Sequence, residues 1–179
     1  MKKLTALIIL LIMILSPLAT NVEASSSEPS VSADSAVLMD AATGEILYSK
    51  NMNTAYPPAS TTKVMTALLT LENCKLDDVV TVGKKPPLAD GSKIYIFEGE
   101  QLKVKDLLYG LLLPSANDCA EALAEHISGS IDEFAVLMNK KAKELGCKNT
   151  NFVNPSGLYD ENHKSSAYDL ALILKELSK

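Results

Sequence analysis

The order of its elements most constrains what this chain can fold into: one strand hairpin, then a succession of helical segments with no further strong strand. Residues Ser35 to Lys50 read SAVLMDAATGEILYSK. AVLM has strand character, Thr43-Gly44 supplies a turn, and Ile46-Leu47-Tyr48 returns. A two-stranded hairpin cannot bury its own apolar face. It needs more strands, or helices laid across it. The expected class is α+β, with the start of a sheet written here without its completion.

Helical periodicity starts after Pro57-Pro58. A first helix is expected from Ser60, with Val64, Ala67, Leu68 and Leu71 facing inward. A short strand is expected in VVTV, residues 79–82, ahead of the breaker-rich GKKPPLADG. From Val104 to Leu113 the sequence VKDLLYGLLL is apolar on more than one side, which predicts a helix buried in mid-domain. A third helix follows Ser115-Ala116, capped by Asn117 or Asp118, with Ala120, Leu123, Ala124 and Ile127 inside. The fourth spans Ile131 to Leu145 and stops at Gly146. NPSG makes a turn, and a fifth helix runs to Lys179 without a C-cap, as though the polypeptide were truncated.

Lys2-Lys3, the apolar run LTALIILLIMIL, the Ser16-Pro17 break and small residues before Ser25 form the pattern of a secretory signal peptide over residues 1–24. The run is shorter than the roughly 20 residues of a membrane span. Residues 25–34 are polar and aperiodic, a flexible leader, which leaves 35–179 as the folded portion. The chain has no arginine and a net charge of −5, so nucleic acid is a poor partner. Lys84-Lys85 and Lys140-Lys141 are expected to be solvated surface charge. Three widely spaced cysteines make no disulfide scaffold, and without CxxC or HExxH neither metal nor organic cofactor is implied.

Two stretches carry chemistry. In PASTTK, Ser60 and Lys63 stand three apart, on one face of a helix start. Ser60 could simply cap the helix, leaving Lys63 in water. Alternatively the two are a nucleophile and its base, since a serine hydroxyl attacks only when a neighbour takes its proton, and a buried lysine can do so. The second stretch is Pro114-Ser115-Ala116-Asn117 between two apolar helices. Read alone it is a turn and a cap. In a cleft, Ser115 could relay a proton, and the Asn117 amide could donate to a carbonyl and accept from an ammonium.

Together the stretches match two of three motifs, SxxK and SxN, of the penicillin-binding proteins. Longer blocks support this in the same order: residues 40–69 around TGEILYSKN and PASTTK, 91–130 around LLLPSANDCAEALA, and 134–171 around NPSGLYDENHKSSAYDLA. Over about residues 35 to 173 the chain resembles the serine-type D-alanyl-D-alanine carboxypeptidases, the low-molecular-mass penicillin-binding proteins, in their N-terminal portion. The resemblance implies a β-lactamase/penicillin-binding-protein transpeptidase-like fold, α+β, a helical region packed on an antiparallel sheet, here incomplete. It also implies Ser60 as the acylated serine, Lys63 as its general base, Ser115 as the proton shuttle and Asn117 as the substrate-positioning amide. The implied substrate is a peptidoglycan stem peptide ending in D-Ala-D-Ala. Penicillins are implied as acylating inhibitors, and the implied location is the outer face of the cell envelope. Any membrane association would come from a C-terminal region not written here. His163, between GL and the SxA helix start, fits a structural or cleft-shaping role; His126 is an ordinary helix residue.

One departure stands out. The family's third motif, a KTG-type triplet on a sheet strand, is absent from residues 1–179. It supplies carboxylate recognition, and its strand an oxyanion amide. The 179-residue polypeptide alone is accordingly expected to have little or no carboxypeptidase activity. The alternatives are a non-catalytic envelope peptide- or protein-binding fragment and, against SAN in place of SDN, a β-lactamase.

Overall fold

A computed structural model of the chain describes residues 29–179. Two units divide the chain, Met1–Ser32 and Ala33–Lys179, and the fold set out here is that of the second. The expected signal peptide, and the leader up to residue 28, lie outside the described residues.

The hairpin is present: β1 (Ala36–Met39) pairs antiparallel with β2 (Ile46–Lys50). Its turn is closed by the Asp40 carboxylate, which accepts both the amide and the hydroxyl of Thr43. The chain just ahead is tied to it as well. Lys50 Nζ donates to the Ala33 carbonyl at 2.7 Å, and Asn51 Nδ2 to that of Asp34 at 2.9 Å. Two further antiparallel ladders join β3 (Ala55–Tyr56) to β6 (Ser165–Ser166) and β4 (Val79–Thr81) to β5 (Gln101–Lys103).

The helices are α1 (Lys63–Asn73), α2 (Val104–Leu112), α3 (Asn117–Ser128), α4 (Ile131–Glu144) and α5 (Ala167–Leu177). α1 packs against each of the other four, and α5 carries the helical layer onto β1. Two apolar cores meet at α1. Its Ala67 joins Val80, Leu107, Leu111 and Leu123. On its other side Met65, Leu68 and Leu69 join Phe134, Met138, Phe152 and Ile173. At about 2 kcal/mol for each fully buried Leu or Met, α1 is held from both flanks and its first turn has a fixed position.

Several local expectations need correction. Leu71 is 48% exposed, because the wide buried face of α1 takes in Leu68 and Leu69 and leaves position 71 on the narrow outer strip. α2 is not enclosed all round. Val104, Leu107, Leu108 and Leu111 bury one face at helical spacing, whereas Tyr109, Leu112 and Leu113 are exposed. Neither Asn117 nor Asp118 caps α3, since both are already helical behind Ala116. Ser130 and Ser166 do cap, accepting the amides of Glu133 and Asp169 ahead of α4 and α5. Lys141 is not free surface charge, for it pairs with Glu72 of α1.

Candidate active site

Pro57-Pro58 brings the chain out of β3, Ala59 takes φ +46°, and Ala59–Thr62 winds as one 3-10 turn leading into α1. Side chains three apart eclipse one another in a 3-10 turn. That winding brings Ser60 and Lys63 together, with Lys63 Nζ 3.1 Å from Ser60 Oγ. Ser60 caps no amide, and Lys63 is only 2% exposed. The arrangement of a capping serine with a solvated lysine is therefore not the one adopted. Ser60 itself is open to solvent.

Burial disfavours the ammonium and lowers the Lys63 pKa to about 8. Nζ also donates to the Ser156 carbonyl at 2.9 Å. With one N–H held there, the neutral amine can turn its lone pair to the Ser60 hydroxyl. Lys63 is the first residue of α1, where the helix amides favour negative charge developing nearby.

The Ser156 carbonyl is placed by a side-chain-closed turn. Asn154 Oδ1 accepts the amides of Ser156 at 3.2 Å and Gly157 at 2.7 Å, and its Nδ2 donates to the Leu158 carbonyl at 2.8 Å. Thr66 Oγ1 donates to the Pro155 carbonyl at 2.6 Å, which fastens the turn to α1. Gly157, at φ +82°, lies against the nucleophile turn. A Cβ there would collide with the Ala59 carbonyl and come 2.8 Å from Thr62 Oγ1.

His163 is 1% exposed and joins the same two segments. Its Nδ1 accepts the Val153 amide at 3.1 Å, and its Nε2 lies 2.9 Å from Thr62 Oγ1. Phe152 meets the ring edge-on, centroids 5.6 Å apart. Burial lowers the imidazole pKa and outweighs the opposing pull of Asp160, so the ring is held neutral.

The second constellation sits at the start of α3. Ser115 takes φ +60° in the link from α2. The Asn117 amide donates to the Ser92 carbonyl at 2.7 Å, and its Nδ2 to that of Asp90 at 2.6 Å. This leaves Oδ1 and one N–H for other partners. Asp118, fully buried, accepts the amides of Ile94 and Ile96, both at 3.2 Å to Oδ2, and of Cys119 at 3.0 Å. The loop from Asp90 to Ile96 is thus stitched to the first turn of α3. Among the described residues no hydrogen bond joins Ser115 or Asn117 to Ser60 or Lys63; the two sets are related through the packing of α3 on α1.

Sequence reasoning did not single out Thr62, Ser156 or Gly157. The NPSG glycine is the available signal, and in the sequence it reads only as a turn. Cys119 is walled in beside Gly110 of α2, and its burial first of all pushes the thiol up to about 12. All three cysteines are free. What the assembled groups can do is activate a solvent-facing serine hydroxyl for attack on a carbonyl.

The sequence model of the family described as D-alanyl-D-alanine carboxypeptidase matches residues 22–179. The chain is 48% identical over 159 residues to D-alanyl-D-alanine carboxypeptidase DacF of Bacillus subtilis (strain 168), covering 86% of this chain and 41% of that one. Among solved structures it is similar to the D-alanyl-D-alanine carboxypeptidase DacD from Francisella tularensis, with a TM-score of 0.78 and 36% identity over 82% of this chain and 37% of that. It is also similar to penicillin binding protein 5 from Haemophilus influenzae, with a TM-score of 0.76 and 39% identity over 83% and 46%. The α+β architecture, helices on an antiparallel sheet, is shared with these structures. The chain spans about two fifths of the length of the curated relatives it matches.

Proposed function

Since the chain belongs to the D-alanyl-D-alanine carboxypeptidase family, we propose that it carries the nucleophilic part of a serine carboxypeptidase site acting on peptidoglycan stem peptides that end in D-Ala-D-Ala. The observation that carries the proposal is the Lys63 Nζ to Ser60 Oγ contact, 3.1 Å, with a lysine whose burial brings its pKa to about 8. Neutral Lys63 takes the hydroxyl proton as Ser60 Oγ bonds to the penultimate D-alanine carbonyl carbon. The C–N bond then breaks, with the proton passed through Ser115 to the departing amine. Asn117 orients the peptide with its free amide groups, and water hydrolyses the resulting ester. Penicillins would acylate the same serine, because they present a strained amide to the same attack.

In this reading residues 35–179 form the N-terminal part of the catalytic domain, residues 1–24 direct export, and the protein works on the outer face of the cell envelope. Among the described residues no helix is long and apolar enough to cross a membrane. The test is peptide mapping after exposure to a fluorescent penicillin. A strained lactam needs only nucleophile and base for one slow, stoichiometric acylation, even where peptide turnover is weak: label on Ser60, lost in Ser60→Ala, supports the proposal, and a folded chain that takes up none overturns it in favour of a non-catalytic peptide binder. A long-lived adduct distinguishes the carboxypeptidase from a β-lactamase, which would shed it quickly.

A further inference from the structure

We infer that His163 is a positioning residue for the Ser60–Lys63 pair, acting through a tautomer-specific hydrogen bond to Thr62 that clamps the nucleophile turn onto the segment supplying the Ser156 carbonyl. The inference rests on the acylation reading above.

The ring's role follows from its partners. Val153 N–H can only donate, so Nδ1 must present its lone pair to it. In the neutral ring the hydrogen then sits on Nε2, and it is Nε2 that faces Thr62 Oγ1 at 2.9 Å. Both ends are fully enclosed: Thr62 is 0% and His163 1% exposed. Thr62 lies immediately before Lys63, and His163 reaches it across 101 residues of sequence.

The clamp acts on more than Thr62. Between Val153 and His163 lie Pro155, whose carbonyl takes the Thr66 hydroxyl, Ser156, whose carbonyl takes Lys63 Nζ, and Gly157, which abuts Ala59. His163 closes this strap at its far end. Without the closure the strap and the turn are joined through the β3–β6 ladder, α1 contacts and the Gly157 abutment, and the Ser156 carbonyl can draw away from Lys63. The gap would admit water to the amine, which relieves its desolvation and restores its ordinary basicity. A second proton on the ring would oppose the Val153 N–H and break the same arrangement. Asp160, on the ring's own loop, favours the imidazolium, and burial outweighs it.

The experiment compares the parent chain with Thr62→Val, His163→Leu and His163→Gln. It reads three quantities: the ¹⁵N signature of the His163 ring, the Lys63 titration by NMR, and the rate of Ser60 acylation by benzylpenicillin. The expected parent signature is a neutral ring protonated on Nε2. In Thr62→Val and His163→Leu the Lys63 titration should move up from about 8 toward 10.5, and acylation should fall roughly ten- to a hundredfold. His163→Gln, which keeps an N–H near the Nε2 position and an acceptor for Val153, should recover most of both. Thr62→Val leaves the strap sequence intact, so the test survives if His163→Leu fails to fold. An unmoved Lys63 titration in folded Thr62→Val would overturn the inference, as would an Nδ1-protonated ring. A Lys63 titration that moves in Thr62→Val, beside a parent chain that never acylates, would support the clamp and count against the acylation reading alone.

Discussion

Gly157 rests against Ala59 with no room for a side chain between them. The contact joins the asparagine-closed turn at Asn154–Gly157 to the 3-10 turn that carries Ser60, and it explains why the Ser156 carbonyl can reach Lys63. Gly157→Ala would place a methyl group into the Ala59 carbonyl and hold a non-glycine residue at φ +82°. Left-handed strain and overpacking together should cost about 3 kcal/mol. Urea unfolding checks this; a loss well under about 1 kcal/mol would mean the turns part easily.

The pH dependence of acylation should follow Lys63. Only the neutral amine can take the Ser60 proton, so the rate should climb with pH and level off near the pKa of about 8. Stability should move in the same direction. Burial penalises the charged form in the folded state only, so the penalty is in force below the folded pKa and is lifted as pH rises from about 8 to 10.5. Lys63→Met should abolish acylation and flatten that part of the stability profile. A rate already level at pH values well below 8 would rule Lys63 out as the base.

His163 contributes in a different window. Its folded pKa lies below the ordinary 6.5, so as pH falls through 6.5 the unfolded chain takes up a proton that the folded chain resists, and stability drops. Chemical denaturation across mildly acidic pH should show this slope in the parent chain and a shallower one in His163→Gln. Equal slopes would mean the ring charges freely in the folded protein.

Asp118 should matter through the loop it holds. Asp118→Ala removes the acceptor for the Ile94 and Ile96 amides, of which Ile96 is buried, and should cost about 2 kcal/mol. Hydrogen exchange should quicken at those two amides and at Asn117, whose own amide bonds to Ser92 in the same loop. Unchanged protection at Ile94 and Ile96 would contradict the assignment.

Local signals were legible in advance. Thr43-Gly44 marks the hairpin, and the Ser60/Lys63 spacing marks the pair because residues three apart must be neighbours in any tight helical winding. Long-range ones were not. The acceptor for Lys63 is a backbone carbonyl at Ser156, and a carbonyl carries no residue identity. Thr62 and His163 meet only because α1 and the strap are folded together, so neither residue's neighbours in sequence foretell the bond. β5 and β6 are too short to leave a periodicity. Leu71 followed the expected spacing, yet it fell on the outer strip because α1 is enclosed on both flanks.

The central claim is that a buried, weakly basic Lys63 makes Ser60 a nucleophile. The most direct measurement is intact-mass and peptide mapping of the purified chain after benzylpenicillin. A single covalent adduct should form on the peptide containing Ser60 and be absent in Ser60→Ala and in Lys63→Met. A folded chain with no adduct, or one modified equally in those variants, would contradict it.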